Sequence, residues 1–234
     1  MEATLPNVPV QRFLFDRTRQ AAPQVFEHMR DQIIAMALPP GTVLSRVDLA
    51  AQYGISQTPV RDALMRLSEE GLVDIFPQHA TRVSPIDIAL AQQAHFLRQS
   101  IELEVARALA ESADPALVDT LRANIRRMRT VVDDDNYAEF TVLDQAFHRT
   151  LYEAARVPDL FHLVRRQSGH LDRLRRLHLP IGGKTKAVVR DHVAIVDAIA
   201  AGDPVKAEAC VRGHLSGTLS HLDAIRSRYA TYLR

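Results

Sequence analysis

The chain has 234 residues, of which 47% are apolar and 24% charged, an ordinary composition for a soluble globular protein. This composition excludes a wholly disordered chain, a collagen and a small protein stapled by disulfides, and the single cysteine fits a reducing compartment. The net charge is +1, and neither residues 1–84 nor the remainder is strongly basic, so any contact with nucleic acid must come from a local patch.

The sequence indicates neither a membrane span nor an export signal. The longest stretch without a charged residue, 32–45, has 14 residues and contains two prolines, whereas a membrane span needs about 20 apolar residues. The N-terminus carries Glu2 and lacks the apolar segment of a secretory signal. We therefore expect a cytoplasmic protein with no membrane partner.

The first third of the chain combines short helical patterns with turn signals and ends in a two-residue period. Apolar residues recur every four positions from Gln20 until the sequence Leu-Pro-Pro-Gly at 38–41 stops the helix, and Gly54 and Gly71 end two further helices. We predict a flexible arm at 1–19, helices at 20–38, 46–53 and 58–70, and a pair of short strands within 72–84.

Beyond Pro85 the pattern is helical throughout. Clusters of proline, glycine and aspartate divide this part into six predicted helices, at about 86–112, 115–133, 136–155, 158–178, 184–201 and 203–229. The sequence therefore predicts a mainly α protein, with a first domain at 20–84 and an all-α antiparallel bundle of six or so helices at 85–234.

The two short helices and the strands after them have the outline of a winged helix-turn-helix. The second helix would bury its apolar residues and leave Gln57, Thr58 and Arg61 on its open side. Its first turn offers backbone N–H groups to a phosphate, Arg61 suits a phosphate or a guanine edge, and Gln57 suits adenine. A plain helical hairpin with a solvated arginine would show the same pattern.

An acid and three histidines form a second candidate site. Asp144 and His148 are four residues apart and share one face of a helix, while His192 and His214 follow on later helices. One carboxylate with three imidazoles is a plausible ligand set for zinc, nickel, iron or manganese. Spacing alone does not separate these histidines from the others of the bundle, namely His95, His162, His170, His178 and His221.

Residues 25–84 resemble the DNA-binding domain of the GntR family of bacterial transcription regulators. The positions that carry the resemblance are Leu38 to Leu44, Asp48 to Ala50, Gly54 to Leu64, Leu67 and Glu70 to Val73. The resemblance implies DNA contacts from the wing and the recognition helix, and our DNA-binding set is Arg46, Ser56, Gln57, Thr58, Arg61 and His79. The chain departs from the family at Gln57, where arginine is common, and at His79-Ala80, where the wing tip is usually Arg-Gly.

Residues 86–228 resemble the effector domain of the FadR subfamily, the FCD domain. The matching patterns are Leu97 to Glu102, Asp144 to Leu151, His192 to Ile199, Gly202-Asp203 and His214-Leu215. The resemblance implies a bundle with a central cavity, a divalent ion held by Asp144, His148, His192 and His214, and a small carboxylate effector on the ion. We expect zinc first, with nickel, iron or manganese as alternatives, and Arg98 and Arg173 as effector-binding residues.

Two other classes of protein compete with a regulator. A metal with an open position also serves enzymes, and His170-Leu171-Asp172 and His221-Leu222-Asp223 match half of an iron facial triad. That triad usually lies on a β-barrel, and no strand period occurs past residue 84. A DNA-bound architectural protein would have little use for an acid and three histidines. We therefore predict a ligand-responsive regulator without enzymatic activity, a repressor that binds an inverted-repeat operator as a homodimer.

Overall fold

The computed structural model describes residues 13–76, 80–132 and 136–234, and these fall into two compact units. Among the described residues, the first unit contains 13–33 and Ala37–Ser84, and the second contains Ile34–Met36 and Pro85–Arg234. Each unit has a core of its own. The predicted mainly α fold, with a winged helix-turn-helix followed by a helical domain, is confirmed. None of the described helices is long and apolar enough to cross a membrane.

The first unit has three helices and a small sheet. These elements are α1 Ala21–Ile34, β1 Val43–Leu44, α2 Arg46–Tyr53, α3 Gln57–Glu69, β2 Val73–Ile75 and β3 Thr81–Val83. The hydroxyl of Ser45 caps α2 by accepting a hydrogen bond from the backbone N–H of Asp48 at 3.2 Å. Gly54 ends the same helix with a left-handed φ of 66°. Val60, Ala63, Leu64 and Leu67 of α3 are buried against α1 and the sheet, so the opposite face of α3 is exposed.

The first unit differs from the prediction at two places. Helix α1 ends at Ile34, ahead of the proline pair, because Met36 adopts a left-handed φ of 63°. Strand β1 was not predicted, since two residues are too few to show a period. It pairs antiparallel with β3 through Val43 and Arg82, so the sheet order is β1-β3-β2. Of the predicted arm, residues 13–19 are described, and Phe13 and Phe15 pack on the core there.

The second unit consists of helices and two short 3-10 turns. The helices are α4 Ile88–Ser112, α5 Pro115–Val131, α6 Tyr137–Ala154, α7 Pro158–Gln167, α8 Gly169–His178, α9 Lys184–Ala200, α10 Pro204–Ser216 and α11 Leu222–Arg228. Several of them begin where the sequence supplies a capping side chain, as at Asp87, Asp114, Asn136 and Asp203. Helices α4, α5, α6, α9 and α10 contribute most of the largest core cluster.

Two predicted helices are broken, so the described part of this unit has eight α-helices instead of six. The predicted helix 158–178 breaks at Ser168, whose ψ of 0° leaves the helical region and whose hydroxyl donates to Asp172 Oδ2 at 2.6 Å. The predicted helix 203–229 ends at Ser216 and resumes at Leu222 after a 3-10 turn. The break at Ser168 sets the rotation of α8 independently of α7, and α8 contributes to the site described next.

Candidate metal centre and DNA-binding surface

Four potential ligands from three helices meet in the interior of the second unit. Helix α6 supplies Asp144 and His148, α9 supplies His192 and α10 supplies His214, and one ligand atom from each lies within 4.8 Å of all the others. His192 Nε2 is 3.5 Å from Asp144 Oδ1, and the Nε2 atoms of His148 and His214 are 3.3 Å apart. All four side chains are buried.

The donor set fits a divalent ion. His192 is fully buried and stacks on Phe147, yet neither of its ring nitrogens has a hydrogen-bond partner among the described residues, and Asp144 Oδ1 also has none. Buried polar atoms are normally paired, so these atoms call for a ligand. Two ligands about 2.1 Å from a shared ion are at most about 4.2 Å apart. The four atoms are therefore close enough to share an ion after small side-chain adjustments.

A second layer of charged groups surrounds the ligands. Glu102 Oε2 lies 2.9 Å from His148 Nδ1, and Arg98 Nε donates to Glu102 Oε1 at 2.7 Å. Asp191 Oδ2 lies 3.5 Å from His214 Nδ1. A carboxylate behind a ligating imidazole orients the ring and makes it a better donor to the metal. Sequence reasoning assigned no role to Glu102 or Asp191; the Arg98/Glu102 spacing of four was the only signal for Glu102.

Helix α8 places Arg175, and not Arg173, beside the metal ligands. Arg175 Nη2 donates to Asp144 Oδ2 at 2.6 Å, which leaves Oδ1 facing the histidines. Arg173 instead contacts the Pro85 carbonyl at 3.5 Å and His170 Nδ1 at 2.9 Å, and it lines neither of the cavities described below. Residues two apart on a helix face nearly opposite directions, so Arg173, the predicted effector-binding residue, points away from the candidate ligands while Arg175 faces them.

The ionisation of the cluster favours metal binding. Burial alone would raise the pKa of Asp144, but Arg175 and the three histidines outweigh it and hold this pKa well below its usual value. Burial, followed by the proximity of His214, lowers the pKa of His192 well below its usual value. Burial also lowers the pKa of His214 to about 4, although Asp191 opposes the shift. The carboxylate is thus charged and these two imidazoles are neutral at pH 7, the forms that bind metal.

Two small cavities flank the ligands, with Arg98 and Arg175 lining both. The first, which we call the acidic chamber, is about 20 Å³ in volume and contains Glu102, Asp144 and Asp172 in its wall. The second, which we call the basic chamber, is also about 20 Å³ and is lined by apolar residues of α8, α9 and α10 and by His95, Arg98, Arg175, Lys184, His214 and Thr218. Each chamber has room for about one or two water-sized groups.

The two candidate facial-triad pairs do not form metal centres among the described residues. His170 Nδ1 accepts the backbone N–H of Asp87 at 2.9 Å, and Asp172 accepts the Ser168 hydroxyl. His221 contacts the Gly217 carbonyl at 2.8 Å, and the side chain of Asp223 is fully exposed. Neither pair belongs to the cluster of candidate ligands that the described residues contain.

Five of the six predicted DNA-binding residues are exposed residues of the first unit. Ser56 immediately precedes α3 and its hydroxyl makes no capping hydrogen bond, while Gln57 and Thr58 form the exposed first turn. The side chain of Arg61 is 59% exposed and contacts Asp62 at 3.4 Å. Arg46 is exposed at the start of α2. His79, the predicted wing-tip contact, lies outside the described residues, although Arg82 of β3 adds an exposed cation that sequence reasoning missed.

Comparisons with known proteins identify both units. Residues 21–83 match the family described as bacterial regulatory proteins, gntR family, and residues 93–217 match the FCD domain. A protein of Streptomyces ambofaciens, described as an HTH-type transcriptional regulator in an unstable DNA locus, is 37% identical over 203 residues, which are 87% of this chain and 85% of that protein. The HTH-type transcriptional repressor RspR of Escherichia coli is 27% identical over 89% of this chain and 92% of its own length.

Solved structures share the fold. McbR/YncC of Escherichia coli superposes with a TM-score of 0.75 at 19% identity, over 90% of this chain and 99% of that one. A GntR regulator from Rhodococcus gives a TM-score of 0.71 at 20% identity, over 87% and 98% of the two chains. Taken with the family matches, these similarities lead to one conclusion: the chain belongs to the GntR family and is a transcriptional regulator, with a DNA-binding winged helix-turn-helix followed by an FCD effector domain.

Proposed function

We propose that this regulator is a metal-dependent repressor whose affinity for an operator changes when a small organic acid binds in the FCD domain. The observation that carries the proposal is the buried cluster of Asp144, His148, His192 and His214, with ligand atoms within 4.8 Å of one another and unpartnered atoms on His192 and Asp144. A buried arrangement of this kind has little structural purpose unless a cation binds in it.

The four ligands would hold one divalent ion, with zinc as the first candidate. An ion that accepts five or six ligands would keep positions open beyond these four, and when bound it would supply a Lewis-acid site for a carboxylate oxygen. Arg98 and Arg175 lie on both sides of this position and would orient the acid through charge-assisted hydrogen bonds. Glu102 and Asp191 hold the rings of His148 and His214 for coordination.

The operator would be an inverted repeat read by two copies of the chain. A twofold dimer presents two recognition helices to two half-sites, which explains the symmetry that regulators of this architecture require in DNA. In each copy the first turn of α3 would approach the phosphates through Ser56 and Thr58, with Arg61 and Gln57 on base edges or phosphates. Arg46 and the wing would add backbone contacts.

The metal proposal is tested on protein never exposed to chelator or acid. We expect about one divalent ion per chain, and chelation should lower the free energy of unfolding by about 2.7 kcal/mol when the free ion had been at a hundredfold excess over its Kd. His192→Ala should remove both the bound ion and the loss of stability on chelation. His162→Ala, which changes an exposed histidine of α7, is the matched control and should keep both.

The regulatory proposal is tested with DNA selected from a random pool by the purified protein. We expect an inverted repeat, and we expect small carboxylates to release it from the metal-loaded protein but not from His192→Ala. Chemical analysis of the carboxylate after incubation should recover it unchanged. Metal-free protein whose stability does not respond to zinc contradicts the metal site, and turnover of the carboxylate contradicts the regulator in favour of an enzyme.

A further inference from the structure

The basic chamber contains a positive charge that forms no ion pair among the described residues. Arg98 pairs with Glu102 at 2.7 Å, and Arg175 pairs with Asp144 at 2.6 Å, so each guanidinium already has an anionic partner. Lys184 has no ion-pair partner among the described residues, and no acidic side chain lines the chamber. The ammonium group of Lys184 is therefore the surplus charge of this cavity.

A glycine makes room for this ammonium group. Gly217, immediately after α10, has a φ of −59° and a ψ of −28°, a conformation that any residue adopts, so its backbone does not require glycine. A Cβ atom at this position would lie 2.5 Å from Lys184 Nζ and 3.5 Å from the His214 carbonyl oxygen. The first distance is far below van der Waals contact. Gly217 therefore provides the space in which Lys184 reaches the chamber.

The position of Lys184 is costly in the absence of an anion. Its side chain is half-buried at the first residue of α9. Burial lowers the pKa of Lys184, Asp191 counteracts the shift, and the charge of Arg175 adds to it. Asp191 lies outside the chamber wall and contacts His214 instead. A buried cation without a paired anion is unfavourable, and an incoming anionic group would relieve this cost.

We propose that the basic chamber is a second anion subsite, in which Lys184, flanked by Arg98 and Arg175, binds a carboxylate or phosphate group of the effector. This inference rests on the proposed function, which places one carboxylate of the effector at the metal. The effector would then be a dianion. One of its anionic groups would bind the ion, and the other would bind Lys184 beside Arg98 and Arg175. The volume of the chamber, about 20 Å³, matches the two oxygens of one carboxylate better than a larger group.

The test compares acids that differ only in the second anionic group. Butanoate is compared with butanedioate, pentanoate with pentanedioate, and propanoate with 3-phosphonopropanoate, by titration calorimetry and thermal unfolding of the zinc-loaded full chain. We expect at least one dianion to bind about tenfold more tightly than its monoanion, which corresponds to roughly 1.4 kcal/mol. The phosphonate arm separates a carboxylate subsite from a phosphate subsite.

Two variants locate the effect. Lys184→Met should reduce dianion affinity to that of the monoanion, with zinc content and monoanion affinity unchanged. Gly217→Ala keeps the lysine in the sequence but displaces its ammonium group, so it should cause the same loss. Lys206→Met, which changes an exposed lysine of α10, should change nothing. The ammonium group is at the end of a flexible side chain and can be displaced at little cost in stability, so both variants should fold.

The outcomes separate this inference from the proposed function. If zinc and monoanions bind but no dianion is preferred, or if Lys184→Met weakens both ligand types equally, the second subsite is wrong and the metal site stands. If no zinc binds and no acid of either kind changes stability, the proposed function fails, and the inference fails with it.

Discussion

The candidate DNA-binding surface and the candidate metal centre contain arginines in opposite environments. Arg61 on α3 is 59% exposed and has only a loose contact with Asp62, at 3.4 Å. Arg98 on α4 is buried and donates to an equally buried Glu102, at 2.7 Å. An exposed charge is solvated in the free protein, so its removal changes DNA binding and leaves the stability of the fold nearly unaffected. A buried pair is coupled to the fold, so function and stability cannot be changed independently there.

The largest effect expected from this difference follows Glu102→Ala. The substitution leaves Arg98 buried without its partner and should lower the free energy of unfolding by about 3–5 kcal/mol, measured by urea denaturation with chelator present. Arg98→Met combined with Glu102→Leu removes both charges and should recover much of the loss. Equal destabilisation of the single and double variants would show that packing, and not an unpaired charge, dominates at this position.

Arg61→Ala should show the reverse behaviour. Operator affinity should fall by about 1–3 kcal/mol because the proposed contact of Arg61 with a phosphate or base edge is lost, while the free energy of unfolding should stay within about 0.5 kcal/mol of wild type. Gel-shift titration at fixed salt measures the first quantity and urea denaturation the second. Gln57→Ala serves as the comparison, since it should relax base preference more than it lowers non-specific affinity. An unchanged affinity for Arg61→Ala would remove this residue from the interface.

Acid should destabilise the second unit through His178, a buried residue of α8. Burial, followed by the charges of Lys184 and His221, lowers the pKa of His178 to about 4, against about 6.5 in the unfolded chain. Between these values the unfolded chain binds more protons, so the free energy of unfolding falls as pH is lowered from 6.5 to 4. The contribution is at most about 1.4 kcal/mol per pH unit.

His178→Gln isolates that contribution. Its free energy of unfolding should depend less steeply on pH between 6.5 and 4 than that of wild type, when both are measured by urea denaturation in chelator. His162→Gln, which changes an exposed histidine of α7, is the control and should retain the wild-type slope. Identical slopes for wild type and His178→Gln would mean that His178 titrates normally in the folded protein.

The smallest effect is expected at the wing. Because His79-Ala80 stands where related wings carry Arg-Gly, His79→Arg should add one phosphate contact and steepen the logarithmic salt dependence of DNA binding by about 0.9. Affinity titrations at several salt concentrations measure this slope. An unchanged slope would mean that the wing tip does not reach the DNA backbone.

Much of the fold could be predicted because it depends on local patterns. The short helices around Gly54 carry their own capping signals, and the Asp and Asn residues before α4, α5, α6 and α10 mark where those helices begin. The breaks at Ser168 and after Ser216 were missed because neither position carries proline, and the apolar pattern continues across both. Strand β1 forms only because β3 lies beside it.

The sequence by itself determined the fold class and, through its resemblance to known regulators, which acid and histidines to examine. Only the tertiary structure decided which charged residues face them. Leu171, Leu174 and Leu177 form the apolar stripe of α8, but polar residues of this helix are buried as well, so the stripe does not reveal that Arg175 faces Asp144 while Arg173 faces Pro85. The contact of Lys184 with Gly217 joins residues 33 positions apart in the chain. Hydrophobic periodicity records that a side chain is buried, whereas its partner is set by the packing of helices that are distant in sequence.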